Sequence, residues 1–74
     1  FFKVYPNPSS NIIVIEGKPE IQNYQIKILN ILGEIVLISK NRIIDISSIP
    51  NGVYFLNIET DRFISSKKII VEHK

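Results

Sequence analysis

The sequence predicts an all-β domain built as a small antiparallel sandwich, and three observations carry that prediction. Hydrophobic residues make up 45% of the chain. Isoleucine dominates them, and β-branched side chains fit a pleated strand better than a helix. Apolar and polar residues alternate with period two in several short runs. Turn-forming residues punctuate the chain at intervals of about 8 to 12 residues, as they do between the strands of a sandwich.

Length and charge narrow the rest. With 74 residues there is room for one domain and one core, near the lower limit for a fold without staples. There is no cysteine, so neither a disulfide nor a thiolate metal site can help, and nearly every strand must feed the same core. A net charge of +2 is a weak balance. Nucleic acid needs Lys and Arg clustered on one face, so no nucleic-acid partner is expected. No apolar run approaches the ~20 residues of a membrane helix. The chain lacks methionine and opens in mid-pattern at Phe1, which is expected of a piece taken from a longer protein.

The elements follow in order. Phe2-Lys3-Val4-Tyr5 alternates and runs into Pro6-Asn7-Pro8. Prolines lack N–H donors and push the preceding residue toward extended backbone, so an edge strand should lead into a rigid polar turn over 7–11. Ile12 to Ile15 is a short apolar strand ended by Glu16-Gly17-Lys18-Pro19. Tyr24, Ile26 and Ile28 alternate with Gln25 and Lys27, which predicts a half-buried strand. Asn30-Ile31-Leu32-Gly33 suits a hairpin returning through Glu34 to Ile38. Ile28, Ile31, Leu32 and Ile35 also fit one face of a helix, but Gly33 in the interior and the crowding of β-branched residues favour the hairpin.

Asn41 and Arg42 begin a turn before a short strand, Ile43 to Ile46. Ser47-Ser48-Ile49-Pro50-Asn51-Gly52 is the strongest turn signal, with Pro50 and Asn51 expected at its centre. Val53 to Glu59 places Tyr54, Leu56 and Ile58 on one face. Thr60-Asp61-Arg62 turns the chain into a last strand, Phe63 to Glu72. The sum is about seven short strands, most simply two packed antiparallel sheets of the immunoglobulin-like type.

Candidate chemistry is sparse. His73 is the single histidine, and it stands beside the C-terminus, where chains fray. A nucleophilic serine needs a positioned base, and a metal cluster needs partners that this histidine lacks. The acidic residues Asp45 and Asp61 do not have calcium-loop spacing. Gly17, Gly33 and Gly52 are too far apart for a phosphate cradle. The expectation is a binding, structural or address-bearing domain, with no enzymatic activity and no cofactor. Pro6-Asn7-Pro8 reads as a strand-to-strand corner before it reads as a recognition element. Lys67-Lys68 ahead of Ile69-Ile70-Val71 is either a tail that a receptor reads or a pair of charges protecting an edge strand.

Taken together, the residues resemble a known family. Val4-Tyr5-Pro6-Asn7-Pro8-Ser9, Ile13 and Ile15, Tyr24-Gln25-Ile26 and Gly33-Glu34-Ile35-Val36 occur in the order of the type A C-terminal sorting domain of the type IX secretion system. Ile44-Asp45-Ile46-Ser47, Ile49-Pro50-Asn51-Gly52-Val53-Tyr54 and Lys67-Lys68-Ile69-Ile70-Val71 complete the pattern. The resemblance implies an immunoglobulin-like domain at the C-terminus of a secreted protein of Bacteroidota-type bacteria. Its cargo would reach the periplasm through a signal peptide and cross the outer membrane by the type IX translocon and its shuttle components. A sortase-like cysteine peptidase would then cut just upstream of the domain and attach the cargo to the cell surface.

Carried over residue by residue, the recurrent positions are Pro6, Asn7, Pro8, Gly33, Asn51, Gly52 and Tyr54, to which physics gives structural roles: Gly33 and Gly52 in turns, Tyr54 toward the core. Lys67, Lys68, Ile69, Ile70 and Val71 are the candidates for direct recognition, because an exposed edge can pair with a partner strand. The same edge allows dimerisation. The family's loop before the glycine is often acidic, and Asn30 stands there instead. The competing functions are an adhesion or carbohydrate-binding sandwich and a structural spacer. A carbohydrate site usually displays aromatics, and Phe1, Phe2, Phe55 and Phe63 are the only ones expected outside the core.

Overall fold

Period-two alternation becomes seven strands in a computed structural model that describes residues 2–17 and 23–73. They are β1 (Lys3–Tyr5), β2 (Ile12–Glu16), β3 (Tyr24–Leu29), β4 (Ile35–Ser39), β5 (Ile43–Asp45), β6 (Gly52–Thr60) and β7 (Ile64–Val71). There is no helix among the described residues. The strands form a three-stranded sheet in the order β1-β2-β5 and a four-stranded sheet in the order β4-β3-β6-β7. Every strand pair is antiparallel. The turn signals at Lys18 and Pro19 lie outside the described residues.

The inward residues of the two sheets make one core, as two facing half-buried sheets must. Ile13, Ile15 and Ile44 come from the first sheet; Ile26, Ile28, Leu56, Ile58, Ile69 and Val71 come from the second. Register makes this possible: Ile26 faces Ile58, Ile28 faces Leu56, and Tyr54 faces Ile69 across the ladders. Ile46 and Ile49, from the segment between β5 and β6, join the same core, and the Tyr54 hydroxyl, its ring buried, donates to the Pro50 carbonyl at 2.7 Å. A buried phenol needs such a partner.

The β3–β4 connection is a hairpin and not a helix. Ile31 and Leu32 are 73% and 79% exposed, which a buried helix face would not allow. The Asn30 side-chain oxygen accepts from the Leu32 and Glu34 amides at 2.9 and 3.0 Å. Gly33 has φ +83°, a left-handed backbone that only glycine adopts without strain. The Asn30 amide also donates to the Glu34 carboxylate at 3.0 Å, a bond that an aspartate at this position could not make. At the next crossing, the turn sits earlier than Pro50-Asn51 had suggested. The Ile49 amide donates to the Ile46 carbonyl at 3.2 Å, and the Asp45 carboxylate accepts from the Ser47 amide at 2.8 Å. An aspartate that captures the amide two residues on is a turn former in its own right, so it takes the tight turn from the proline. Gly52 accordingly opens β6 instead of closing a turn.

Phe2 corrects the expectation of an exposed aromatic: it is 4% exposed and belongs to the core. A β-carbon on Gly17 would stand 2.5 Å from the Phe2 ring, so the glycine clears the space that the ring occupies. Phe55 and Phe63 are exposed at 40% and 39%, as expected. Phe1 lies outside the described residues.

Candidate recognition edge

The terminal strand β7 divides its candidate residues between two tasks. Ile69 and Val71 are completely buried, Ile70 is half-buried, and Lys67 and Lys68 are exposed. Ile69 and Val71 therefore hold the sandwich together, and the lysines are the part of the segment that meets solvent. Among the described residues, strand β7 has one neighbouring strand, β6, and forms the edge of its sheet.

Half of that edge is already closed. The Asn7 amide group donates to the Lys68 carbonyl at 3.3 Å, and its oxygen accepts from the Ile70 amide at 3.0 Å. The Ser9 amide donates to the Ile70 carbonyl at 2.9 Å, and the Glu72 amide donates to the Ser9 carbonyl at 2.8 Å. Ser9 thus makes a parallel bridge to Val71. One side chain and one residue of main chain do here what a neighbouring strand would do. Pro6 and Pro8 hold this corner, since proline fixes its own φ and offers no competing donor. The buried Ser9 hydroxyl donates to the Pro6 carbonyl.

The tail beyond β7 is held from the opposite loop. The His73 amide donates to the Asn51 side-chain oxygen at 2.7 Å, and His73 Nε2 lies 2.6 Å from the Ile49 carbonyl. His73 is half-buried there, so the chain stays fixed to that point. Asn7 and Asn51 therefore both hold the C-terminal segment, the first on β7 and the second on the tail beyond it. The sequence showed a rigid polar corner at Asn7 but held no local sign of its partner some sixty residues away. The clamp by Ser9 and the docking of His73 were missed for the same reason.

The other half of the edge is open. Hydrogen-bonding groups of a strand point to each side on alternate residues, and Lys68, Ile70 and Glu72 use theirs outward. Ile64 and Ser66 share that direction, where β7 has no strand neighbour. At the Lys67-Lys68 end of this stretch, against the Asn7 corner, lies a groove of about 360 Å³ between β7 and β1, lined by Asn7, Phe2, Val4 and Tyr5 with Lys3, Lys67 and Lys68. Lys27 and Glu59 form an ion pair at 2.9 Å on another part of the surface. Lys3, Lys67 and Lys68 have no such partner among the described residues.

The acidic groups serve local structure. Two hydrogen bonds from Ser47, the hydroxyl at 2.6 Å and the amide at 2.8 Å, hold the Asp45 carboxyl below the usual aspartate range. No group of three His, Cys, Asp or Glu that could hold a metal occurs among the described residues. No described helix is long and apolar enough to cross a membrane.

Comparison with known proteins agrees with the motif order. The family model for the secretion system C-terminal sorting domain matches residues 3–72. A search of curated proteins finds no match. The match runs from the first residue of β1 to the residue that follows β7, so it takes in both sheets, the Asn7 corner and the terminal strand. The chain therefore belongs to the family of type IX secretion C-terminal sorting domains.

Proposed function

We propose that this domain directs a periplasmic cargo protein through the type IX outer-membrane translocon, and that it is read there as a folded surface. A sortase-like peptidase then removes the domain and links the cargo to the cell surface. The observation that supports a folded signal is the double use of the last strand. Its lysines are exposed while Ile69 and Val71 are buried in the core. A receptor can engage Lys67 and Lys68 without opening the sandwich, even though the next residues are part of its core. Export and a surface or secreted destination follow in general terms from the family.

The test is an export assay. A periplasm-targeted fluorescent reporter carries the domain in a strain with a working type IX system and in one lacking the translocon. Deleting 67–74 removes Ile69 and Val71 and so confounds recognition with unfolding. Lys67→Ala/Lys68→Ala keeps the core and is the informative variant. Surface delivery that needs both the translocon and the lysines supports the reading. A reporter that stays periplasmic and intact in both strains refutes it, and a ligand-binding or spacer domain becomes the better account.

A further inference from the structure

We infer that the open stretch of β7 from Ile64 to Lys67, which ends at the groove between β1 and the two lysines, binds an extended, acidic segment of a partner protein, which adds to the sheet as a strand. This deepens the export reading by naming the chemistry of the partner and the place where it lies, and it rests on that reading for its biological setting.

Three observations converge on this edge. The first is backbone: Ile64 and Ser66 turn their peptide groups away from β6, toward the side where β7 has no neighbour. Unpaired edge groups are a template for strand addition. The second is closure: Asn7 and Ser9 occupy the edge from Lys68 onward. An incoming strand is therefore confined to the stretch before it, and the corner acts as a stop that fixes register. The third is charge. Lys3 comes from one sheet, Lys67 and Lys68 come from the other, and among the described residues no acidic side chain lines the groove with them. Lys67 pairs in register with Leu56, a completely buried residue, so it belongs to the inward face of β7 although it is itself exposed. Lys68 pairs with Phe55 and lies on the outer face. A partner strand would thus meet a cation on each face of β7.

The nearest acid on β1 and its neighbour is Glu16. It stands opposite Lys3 in register and accepts from the Tyr5 hydroxyl at 3.4 Å, outside the groove lining. Phe2 and Val4 give the groove an apolar wall. Lysines that merely protect an edge would repel or ignore every incoming strand. Lysines that flank an open edge beside an apolar wall favour one that carries carboxylates.

The probe is a short fluorescein-labelled peptide of alternating Glu and Val, titrated against the chain and followed by anisotropy. Its controls are the Gln–Val analogue and the same Glu–Val peptide N-methylated at every residue, which can donate no backbone hydrogen bond from either of its edges. The acidic peptide should bind, and binding should weaken markedly at about 1 M salt, where the screening length is about 3 Å. Lys67→Gln/Lys68→Gln should weaken it by about fivefold to tenfold, with circular dichroism confirming that the variant remains folded. N-methylation should abolish it.

Equal binding of the Gln–Val peptide overturns the charge argument, and equal binding of the N-methylated peptide overturns strand addition. Absence of binding, including the case in which a second copy of the chain occupies the edge as a dimer, overturns the proposal. The export assay separates this outcome from failure of the broader reading. Translocon-dependent export without peptide binding leaves the sorting function intact and removes the groove. Peptide binding without export does the reverse.

Discussion

Asn7 does more for the terminal strand than its position in a turn suggests. Its amide satisfies one carbonyl and one amide of β7 at once, and each such bond contributes about 0.5–1.5 kcal/mol net. Asn7→Ala should therefore destabilise the domain by about 1–2 kcal/mol in urea unfolding and speed exchange of the Ile70 amide. Asn7→Asp keeps the acceptor and loses the donor, so it should fall between the two. Asp45 offers a second residue-level test. Its carboxyl is held below the usual range by Ser47, so folding favours the charged form. That contribution is complete above the pKa of the unfolded group and is lost as pH falls through the lowered value. Unfolding curves of the native chain and Asp45→Asn should differ at neutral pH and converge in acid.

The β3–β4 hairpin separates residues that shape an element from residues that it merely displays. Gly33 has a left-handed backbone with open space where a side chain would go, so the cost of Gly33→Ala is backbone strain alone. It should be about 1–2 kcal/mol, and Gly33→Asn should recover part of it because asparagine tolerates this region. Ile31 and Leu32 are held out by the Asn30 cap and touch no core. Ile31→Ser/Leu32→Ser should change stability by no more than about 0.5 kcal/mol. A larger loss in thermal unfolding would mean that these residues are covered by something in solution. The apolar spacing that also resembled a helix face is thus split by the hairpin, with Ile28 inside and its neighbours at the tip.

The whole molecule depends on one core shared by both sheets, with no disulfide to hold either alone. Ile58 is completely buried at the centre of the larger sheet. Ile58→Ala should cost about 2–5 kcal/mol and weaken both sheets together, since neither has a second core to retain. Exchange protection in β2 and β6 should then collapse in a single transition. Loss from β6 alone, with β2 still protected, would contradict a common core. The ends of the chain contribute to the same unit: the Asn7 corner and the Asn51 loop both grip the last strand and its tail.

By itself the sequence determined the strands, the inward residues of most of them and the family, because alternation, turn residues and motif order are written locally along the chain. Tyr54, Leu56 and Ile58 were legible as core from their spacing alone, and they are buried. Only the tertiary structure decided that β4 and β5 are edges as well as the first and last strands, that Phe2 is inside, and that half of the β7 edge is closed by Asn7 and Ser9. It also moved the tight turn forward to Ile46–Ile49, where Asp45 captures the Ser47 amide. The physical reason is range. A side chain's preference for a pleated surface depends on its neighbours, whereas a hydrogen bond between Asn7 and Ile70 joins residues 63 positions apart. Such a bond exists only after the two sheets have packed and brought the first corner against the last strand.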